Sequence, residues 1–432
     1  MSHLDYAART FGLDPRAIVH PPQAVSLPLP EPGETLAVIG PSGAGKTLAL
    51  RACMNAHNGL ELPTLSDEQL DSPVLALFGT QLPGERVLRN LARMGLADGR
   101  LWRMRARDLS AGEYRRLQLA LALVAESPSR LLMIDELDAH LDAVTARVIA
   151  RNLCRMVRRS ALRLVVSTHR PEILPDLQPA RVLRIDDGIA SDLPAPPPLE
   201  IADEIEFARG RVRDYARFAT WHYLGGGRPG PTSDVFLALH ERRAIGIAMF
   251  GYPHLLLGAR NTALPEFAPG RIRAGGAGGL NANVRLLQRV VIEPRFRGIG
   301  AASRLIRYGL ENISAPIVEC VAQMGAFSDF LLAAGFVRAG EVKAPPSVRG
   351  LRAFLRRHGI GHEALLREDL SDRLAPELVA ELERHIRNVV RTRIQTGFGS
   401  RRKGGGLPDG AARKALARVG ATPGYFLWRR AP

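Results

Sequence analysis

The sequence predicts an α/β chain of two bodies. An N-terminal phosphate-loop domain comes first, then a mixed-sheet α+β domain with a basic helical insert near its C-terminal end. Three observations predict it. Gly40-Pro41-Ser42-Gly43-Ala44-Gly45-Lys46-Thr47 lies between an apolar run, Leu36-Ala37-Val38-Ile39, and a helical pattern set by Leu48, Leu50 and Cys53. Asp192-Leu193-Pro194-Ala195-Pro196-Pro197-Pro198 can continue neither helix nor sheet, because proline fixes φ and lacks an amide donor. A second strand–glycine–helix junction follows: residues 286–292 read as a strand, 293–302 as a turn and 303–310 as an amphipathic helix. The expected domains are 1–192, a linker at 193–200, a second core at 201–343, and an insert and tail at 344–432 whose last strand rejoins the second sheet.

The first junction carries a stated chemistry. Gly40, Gly43 and Gly45, with Ser42, let backbone amides turn inward around phosphate oxygens, and the helix start adds partial positive charge. Lys46 reaches the β- and γ-phosphates, and the Thr47 hydroxyl ligates Mg²⁺. The expected ligand is ATP with Mg²⁺.

A second group of residues narrows the class. Leu109-Ser110-Ala111-Gly112-Glu113 opens a helical run, and Arg130-Leu131-Leu132-Met133-Ile134-Asp135-Glu136 is an apolar strand ending in two carboxylates. Asp135 is placed to hold the metal, and Glu136 to orient the attacking water as general base. Leu137-Asp138-Ala139-His140-Leu141-Asp142 follows, and then Leu164-Val165-Val166-Ser167 leads to Thr168-His169. This order of phosphate loop, signature, Walker B, D-loop and switch histidine resembles ATP-binding-cassette (ABC) ATPases over residues 24–190. The resemblance implies that His169 contacts the γ-phosphate and that Gln81 is the Q-loop residue, although Gln81 lies only 35 residues beyond Lys46. It also implies that Ser110 and Gly112 complete the ATP site of another copy, giving a head-to-tail, ATP-dependent homodimer. The signature reads LSAGE rather than the transporters' LSGGQ, which is more similar to soluble, DNA-associated members, and residues 81–109 leave little room for a full helical subdomain.

Composition bounds the rest. No apolar run reaches the roughly 18–20 residues a spanning helix needs, the first residues do not form a signal peptide, and a cytoplasmic protein is expected. Cys53, Cys154 and Cys320 fit no metal or redox spacing and read as buried thiols. The chain carries a formal net charge of +16. Residues 1–200 hold 23 basic and 23 acidic side chains, so the excess lies wholly in the second half. Arg352, Arg356, Arg357 and Arg401-Arg402-Lys403 are among its basic groups. That asymmetry points to DNA or RNA as partner; a solvated arginine-rich surface is the plain alternative.

In the second junction, Glu293-Pro294-Arg295-Phe296-Arg297-Gly298-Ile299-Gly300-Ala301-Ala302 resembles the acyl-coenzyme A site of GCN5-related N-acetyltransferases (GNAT), whose pattern is Arg/Gln-x-x-Gly-x-Gly/Ala. The strand at 317–321 and Phe330-Leu331-Leu332-Ala333-Ala334-Gly335-Phe336 extend the likeness, which covers about 201–343. It implies acetyl-coenzyme A, or another acyl-coenzyme A, held at Arg295, Arg297, Gly298, Gly300 and Ala301. Many members carry a general-acid tyrosine where this chain has Leu331, so either another group serves, or coenzyme A leaves as an unassisted thiolate, or the fold no longer transfers acyl groups. Trp221-His222-Tyr223-Leu224-Gly225-Gly226-Gly227-Arg228-Pro229-Gly230 makes a loop in which His222 is the candidate base and Trp221 or Tyr223 a stacking surface. The segment is similar to the His-Tyr element of phage Mom-like DNA-modification proteins; an ordinary aromatic helix end is the alternative. Basic helices are expected at 348–358, 376–394 and 409–419 as the nucleic-acid surface.

The expected whole is an ABC-type ATPase coupled to an N-acyltransferase acting on a nucleic-acid base amine. A protein acetyltransferase regulated by ATP, or a non-catalytic ATP-gated nucleic-acid binder, are the alternatives.

Overall fold

The computed structural model describes residues 2–12, 14, 25–124, 130–222, 229–268, 277–323, 328–366, 374–391, 415, 416, 419, 420 and 423–431. Two compact units emerge. One comprises Met1–Thr64 with Ala125–Leu199, the other Leu65–Val124 with Glu200–Pro432. The continuous body expected at 1–192 is therefore interrupted. Residues 65–124 group with the second half, and the Arg297 side chain of that half donates to the Ala97 carbonyl.

The first unit is built on a five-stranded sheet in the order β2-β3-β1-β4-β5. Its strands are β1 (Thr35–Ile39), β2 (Leu131–Ile134), β3 (Arg163–Thr168), β4 (Arg181–Asp186) and β5 (Ile189–Leu193). β1 to β4 are parallel and β5 is an antiparallel edge joined to β4. Buried on both faces, β1 and β2 read as unbroken apolar runs rather than alternating ones. Leu36, Val38, Leu50, Cys53, Met133, Val165 and Ile185 form a core around the helix Lys46–His57. In such a sheet the ligand crevice lies beyond the carboxyl ends of the strands. The order β2-β3-β1 sets the ends at Asp135, Thr168 and Gly40 side by side.

The second unit holds a seven-stranded sheet in the order β11-β12-β10-β9-β8-β7-β6. The strands are β6 (Glu206–Arg209), β7 (Thr232–His240), β8 (Arg243–Gly251), β9 (Val284–Ile292), β10 (Ile317–Ala322), β11 (Val337–Glu341) and β12 (Gly424–Arg429). The β7–β8 hairpin turns on Glu241 and Arg242, both at positive φ, the geometry a two-residue hairpin requires. β9 and β10 are parallel but pair only through Val284–Leu286 opposite Ile317–Glu319. Beyond that point β9 stays with β8 and β10 with β12, so the two strands part. The helix Ala301–Asn312 packs on β7, β8 and β9. A side chain at Gly309 would come within 2.6 Å of the Phe250 ring, which explains the glycine.

Between β11 and β12 the helices Pro346–Arg357 and Pro376–Arg391 share a core of Val348, Leu351, Phe354, Leu382, Ile386 and Val389. The expected patch Arg401-Arg402-Lys403, most of the third basic helix and the glycine segments beside it lie outside the described residues. Residues 65–124 are short helices, among them Gly84–Arg93 and Ala111–Val124. The three cysteines are free and buried, and no helix of the described residues is long and apolar enough to cross a membrane.

A fully buried ion pair marks the place where β9 and β10 part. Arg260 grips Glu319 through two hydrogen bonds of 2.8 and 2.6 Å, and the Tyr425 hydroxyl donates to the same carboxylate at 2.8 Å. Both charged side chains are 0 % exposed. Burial, and then the Glu319 charge, push the Tyr425 hydroxyl above its ordinary pKa, so it stays a donor. Arg260→Met is expected to cost about 3–5 kcal/mol in urea unfolding, because it strands a buried carboxylate. The double change Arg260→Met with Glu319→Leu should recover most of that loss. A double variant no more stable than the single one would show that the pair contributes more than mutual neutralisation.

Candidate functional site

The loop after β1 builds the first site from its backbone. Gly40 is required by close approach: a Cβ there would lie 2.1 Å from the Ile185 carbonyl oxygen of β4. Gly43 and Gly45 sit at φ of +80° and +95°, with open space where their side chains would be. Gly45 is the left-handed N-cap of the helix Lys46–His57, with no side chain capping the first turn. The first amides of that helix are thus left for a ligand, in the field of its positive end. The Lys46 ammonium donates to the carbonyls of Gly40 (2.9 Å) and Pro41 (2.7 Å). Burial holds its pKa below the ordinary value, partly offset by Asp135, Glu136 and Asp138.

Both oxygens of Asp135 are engaged. Thr47 Oγ1 donates to Oδ2 at 2.6 Å, and Ser167 Oγ donates to Oδ1 at 2.5 Å. Ser167 Oγ also accepts the Glu136 amide at 2.8 Å. One step further, Thr168 Oγ1 donates to Asp138 at 2.8 Å, and the Arg170 guanidinium lies 3.5 Å from the same carboxylate. The end of β3 therefore fixes the whole turn that follows β2. Glu136 is held at φ +49°, an uncommon conformation for a side-chain-bearing residue, and its carboxylate lies 3.1 Å from His169 Nε2. Thr47 is bonded to Asp135, and His169 to Glu136, at the ends of β2 and β3. Ser167, Thr168, Asp138 and Arg170 join them without a role foreseen from motif order; the signal in the sequence is a Ser-Thr pair at the end of an apolar strand.

The donor set suits magnesium with a nucleotide. A hydroxyl and a carboxylate converge, and among the described residues no group of three His, Cys, Asp or Glu is placed to hold a metal ion by itself. Magnesium takes few protein ligands and fills its octahedron with phosphate and water.

The other expected residues of the ATP machinery lie in the second unit. Gln81 is exposed in the bend before the helix Gly84–Arg93. Ser110 caps the helix Ala111–Val124. Its hydroxyl donates to Glu113 at 2.7 Å and accepts the Glu113 amide at 3.3 Å, while its own amide donates to Glu113 at 2.9 Å. This is a capping box, and it gives the Glu of LSAGE its purpose. Gly112 stands in the first turn, beside exposed Ser110 and Ala111.

The second junction repeats the backbone of the first. Gly45 has φ 95°, ψ 8°; Gly300, the N-cap of the helix Ala301–Asn312, has φ 90°, ψ 5°, and again no side-chain cap. Gly298 is also left-handed, at φ +92°. Two arginines depart from expectation. Arg295 is bonded to buried Glu293 at 2.7 Å. Arg297 donates to the carbonyls of Ile292 (2.9 Å), Ala97 (2.7 Å) and Trp221 (3.4 Å). Any ligand here must be held by the amides of 298–301 rather than by those side chains. Leu331 is buried. His222 ends a short 3-10 turn; Tyr223 and the glycines after it lie outside the described residues. Burial, and then the Arg289 charge, lower the His222 pKa from 6.5 to about 4. The imidazole is therefore neutral at pH 7 and a weaker base than the sequence suggested.

Comparison with known proteins bears on the first site. The chain is similar to the aliphatic sulfonates import ATP-binding protein SsuB of Mycobacterium avium, with 34% identity over 201 residues, covering 41% of this chain and 77% of that protein. SsuB 1 of Rhodococcus jostii is 30% identical over 211 residues, covering 44% and 80%. Among solved structures, cbiO1 from Clostridium perfringens, part of the ABC transporter complex cbiONQ, is 24% identical with a TM-score of 0.29, covering 37% and 76%. No protein-family model matches the chain.

Two measurements check the site. Ser167→Ala is expected to lower the ATPase kcat roughly 10- to 100-fold, the cost of about 1–3 kcal/mol for an unsatisfied carboxylate. A rate within a factor of two of wild type would show the hydroxyl dispensable. For His222, the folded chain resists a proton that the unfolded chain takes near pH 6.5, so its contribution is whole above that pH and drains as pH falls toward 4. An NMR titration should place the ring midpoint near 4, and His222→Gln should flatten that part of the acid-side stability slope. A midpoint near 6.5 would contradict the burial.

Proposed function

The chain belongs to the ATP-binding proteins of the ABC class, and from that premise we propose that its second unit is a GNAT-like, acyl-coenzyme A-dependent N-acyltransferase acting on nucleic acid under the control of the ATPase. The observation that carries the acyltransferase half is the Gly300 helix start, which follows β9, the strand that parts from β10 after Leu286. The amides of 298–301 suit a pyrophosphate. The free edge of β9 suits the amide-bearing arm of coenzyme A, which can pair with a strand as an added peptide does. The strand order β6-β7-β8-β9-β10-β12-β11, with β12 between β10 and β11, also supports it.

In the transfer, an acceptor amine attacks the thioester carbonyl; the C–N bond forms, the C–S bond breaks and the amine loses its proton. With Leu331 at the usual acid position and the Tyr425 hydroxyl committed to Glu319, the sulfur leaves as a thiolate, which a thiol pKa near 8.5 makes tolerable. Neutral His222 is the candidate acceptor of the amine proton.

The nucleic-acid half rests on charge. The helix Pro346–Arg357 carries Arg349, Arg352, Arg356 and Arg357 and no acidic residue. A base amine is buried in a duplex, and exposing it costs a few kcal/mol, which gives the ATPase a task. The head-to-tail dimer, with Ser110 and Gly112 completing a partner's ATP site, belongs to the same proposal.

A second reading follows from the relatives, which are named as import ATP-binding proteins: a transporter-associated ATPase, requiring separate membrane subunits. Two experiments separate the readings. Acetyl-coenzyme A should bind the full chain saturably, and Gly300→Val should weaken it by at least about tenfold, ~1.4 kcal/mol; no binding to wild type would remove the acyltransferase. The ATPase rate, with Glu136→Gln as blank, should rise with DNA or RNA and lose that rise with added salt. A rate indifferent to both would favour the transporter reading.

A further inference from the structure

Within the second unit, a line of hydrogen bonds runs from the signature to the Gly298–Gly300 loop. Arg116, one turn beyond Gly112 on the helix Ala111–Val124, donates from Nε to the Gly112 carbonyl (3.1 Å) and from Nη1 to the Gly95 carbonyl (3.0 Å). Gly95 is left-handed, at φ +72°, and closely hemmed. A Cβ there would lie 2.8 Å from Arg116 Nη1 and 3.5 Å from the Pro294 carbonyl oxygen. The next carbonyl, Leu96, accepts Trp102 Nε1 at 2.7 Å, and the one after, Ala97, accepts Arg297 Nη1 at 2.7 Å. Three successive carbonyls are thus each held by a side chain. Arg297 then reaches back to the Ile292 carbonyl at the end of β9 and precedes Gly298 directly.

The physics makes this a stiff connection. Arg297 is largely buried, and burial lowers its pKa to about 10 despite the nearby Asp98, so it is a cation at pH 7. A buried guanidinium cannot release a carbonyl without leaving a charged donor unsatisfied. The turn at 95–97 and the end of β9 must therefore move together or break costly bonds.

We infer that Arg297 is a positioning residue that joins the signature-bearing segment to the Gly298–Gly300 loop, so that engagement of the signature by a partner's nucleotide changes the affinity for acyl-coenzyme A. The inference rests on the acyltransferase and dimer readings above. It assigns Arg297 to coupling instead of to direct cofactor contact, and Arg116 to the other end of the same link.

The test uses the full chain carrying Glu136→Gln and acetyl-coenzyme A as probe, titrated with and without ATP and Mg²⁺. The dissociation constant should shift by at least about fivefold, the low end of ordinary coupling. Arg116→Gln should shrink that shift to less than about twofold while leaving the nucleotide-free constant unchanged. Hydrogen exchange in the chain with native Arg116 supplies a readout independent of that variant's folding: ATP alone should alter protection of residues 293–300. Acetyl-coenzyme A binding that is real but identical with and without ATP, with unchanged exchange at 293–300, would overturn the coupling and spare the acyltransferase. Absence of binding in either state would overturn both.

Discussion

A helix that starts on a left-handed glycine leaves its first amides without partners, and both units are organised around such a start. At Gly45 and Gly300 the backbone is the same within a few degrees, though the sheets that deliver the two loops differ in size and strand direction. In the first unit the glycine start faces the carboxyl ends of three parallel strands. Those ends supply the groups a nucleotide needs beyond phosphate recognition: the Asp135 carboxylate, the Glu136–His169 pair and the hydroxyls that hold them. In the second unit the start follows β9, a strand that parts from its parallel neighbour β10. The same local device thus serves a reactive site in one place and, on our reading, a holding site in the other.

Side-chain hydroxyls do much of the fine positioning. Ser167 donates to one carboxylate and accepts the next residue's amide, so a single atom fixes the spacing of Asp135 and Glu136. Thr168 donates to Asp138 and accepts the Arg170 amide. These are short, low-entropy side chains at the end of a buried strand, where little freedom remains to be lost. The uncommon backbone of Glu136 is sustained by that surrounding frame.

What was legible in the sequence was what local chemistry dictates. The phosphate loop and the strand ending in Asp135-Glu136 depend on residues close together in the chain and are legible there; the Ser110–Glu113 cap is equally local, but the signature reading of that segment leaves it unnoticed. The roles of Ser167 and Arg297 were not legible, because each depends on which backbone a side chain meets after folding. Arg297 stands beside the glycines of a recognisable motif, where a ligand contact is the natural expectation; its partners at Ala97 and Trp221 are 200 and 76 residues away. The Arg297–Ala97 bond also ties residues 65–124 to the second half, with which they group. Nothing in the run from Leu65 to Val124 announces that the Ala97 carbonyl is held from beyond residue 200. Arg260 and Glu319, 59 residues apart, likewise carried no signal of a buried pair.

The position of β12 has a temporal consequence. It lies between β10 and β11, yet more than eighty residues, including the helical insert, are made after β11 before it appears. Until then β10 presents an unpaired edge, and the Arg260–Glu319 pair lacks the hydroxyl and the apolar cover that Tyr425 and Leu427 bring. During synthesis the first unit has all five strands well before the second sheet can close. Long-range closure of this kind is slow, and open edges are exposed meanwhile. The insert, with a core of its own, can form in that interval and keep its apolar faces covered while the sheet waits for β12.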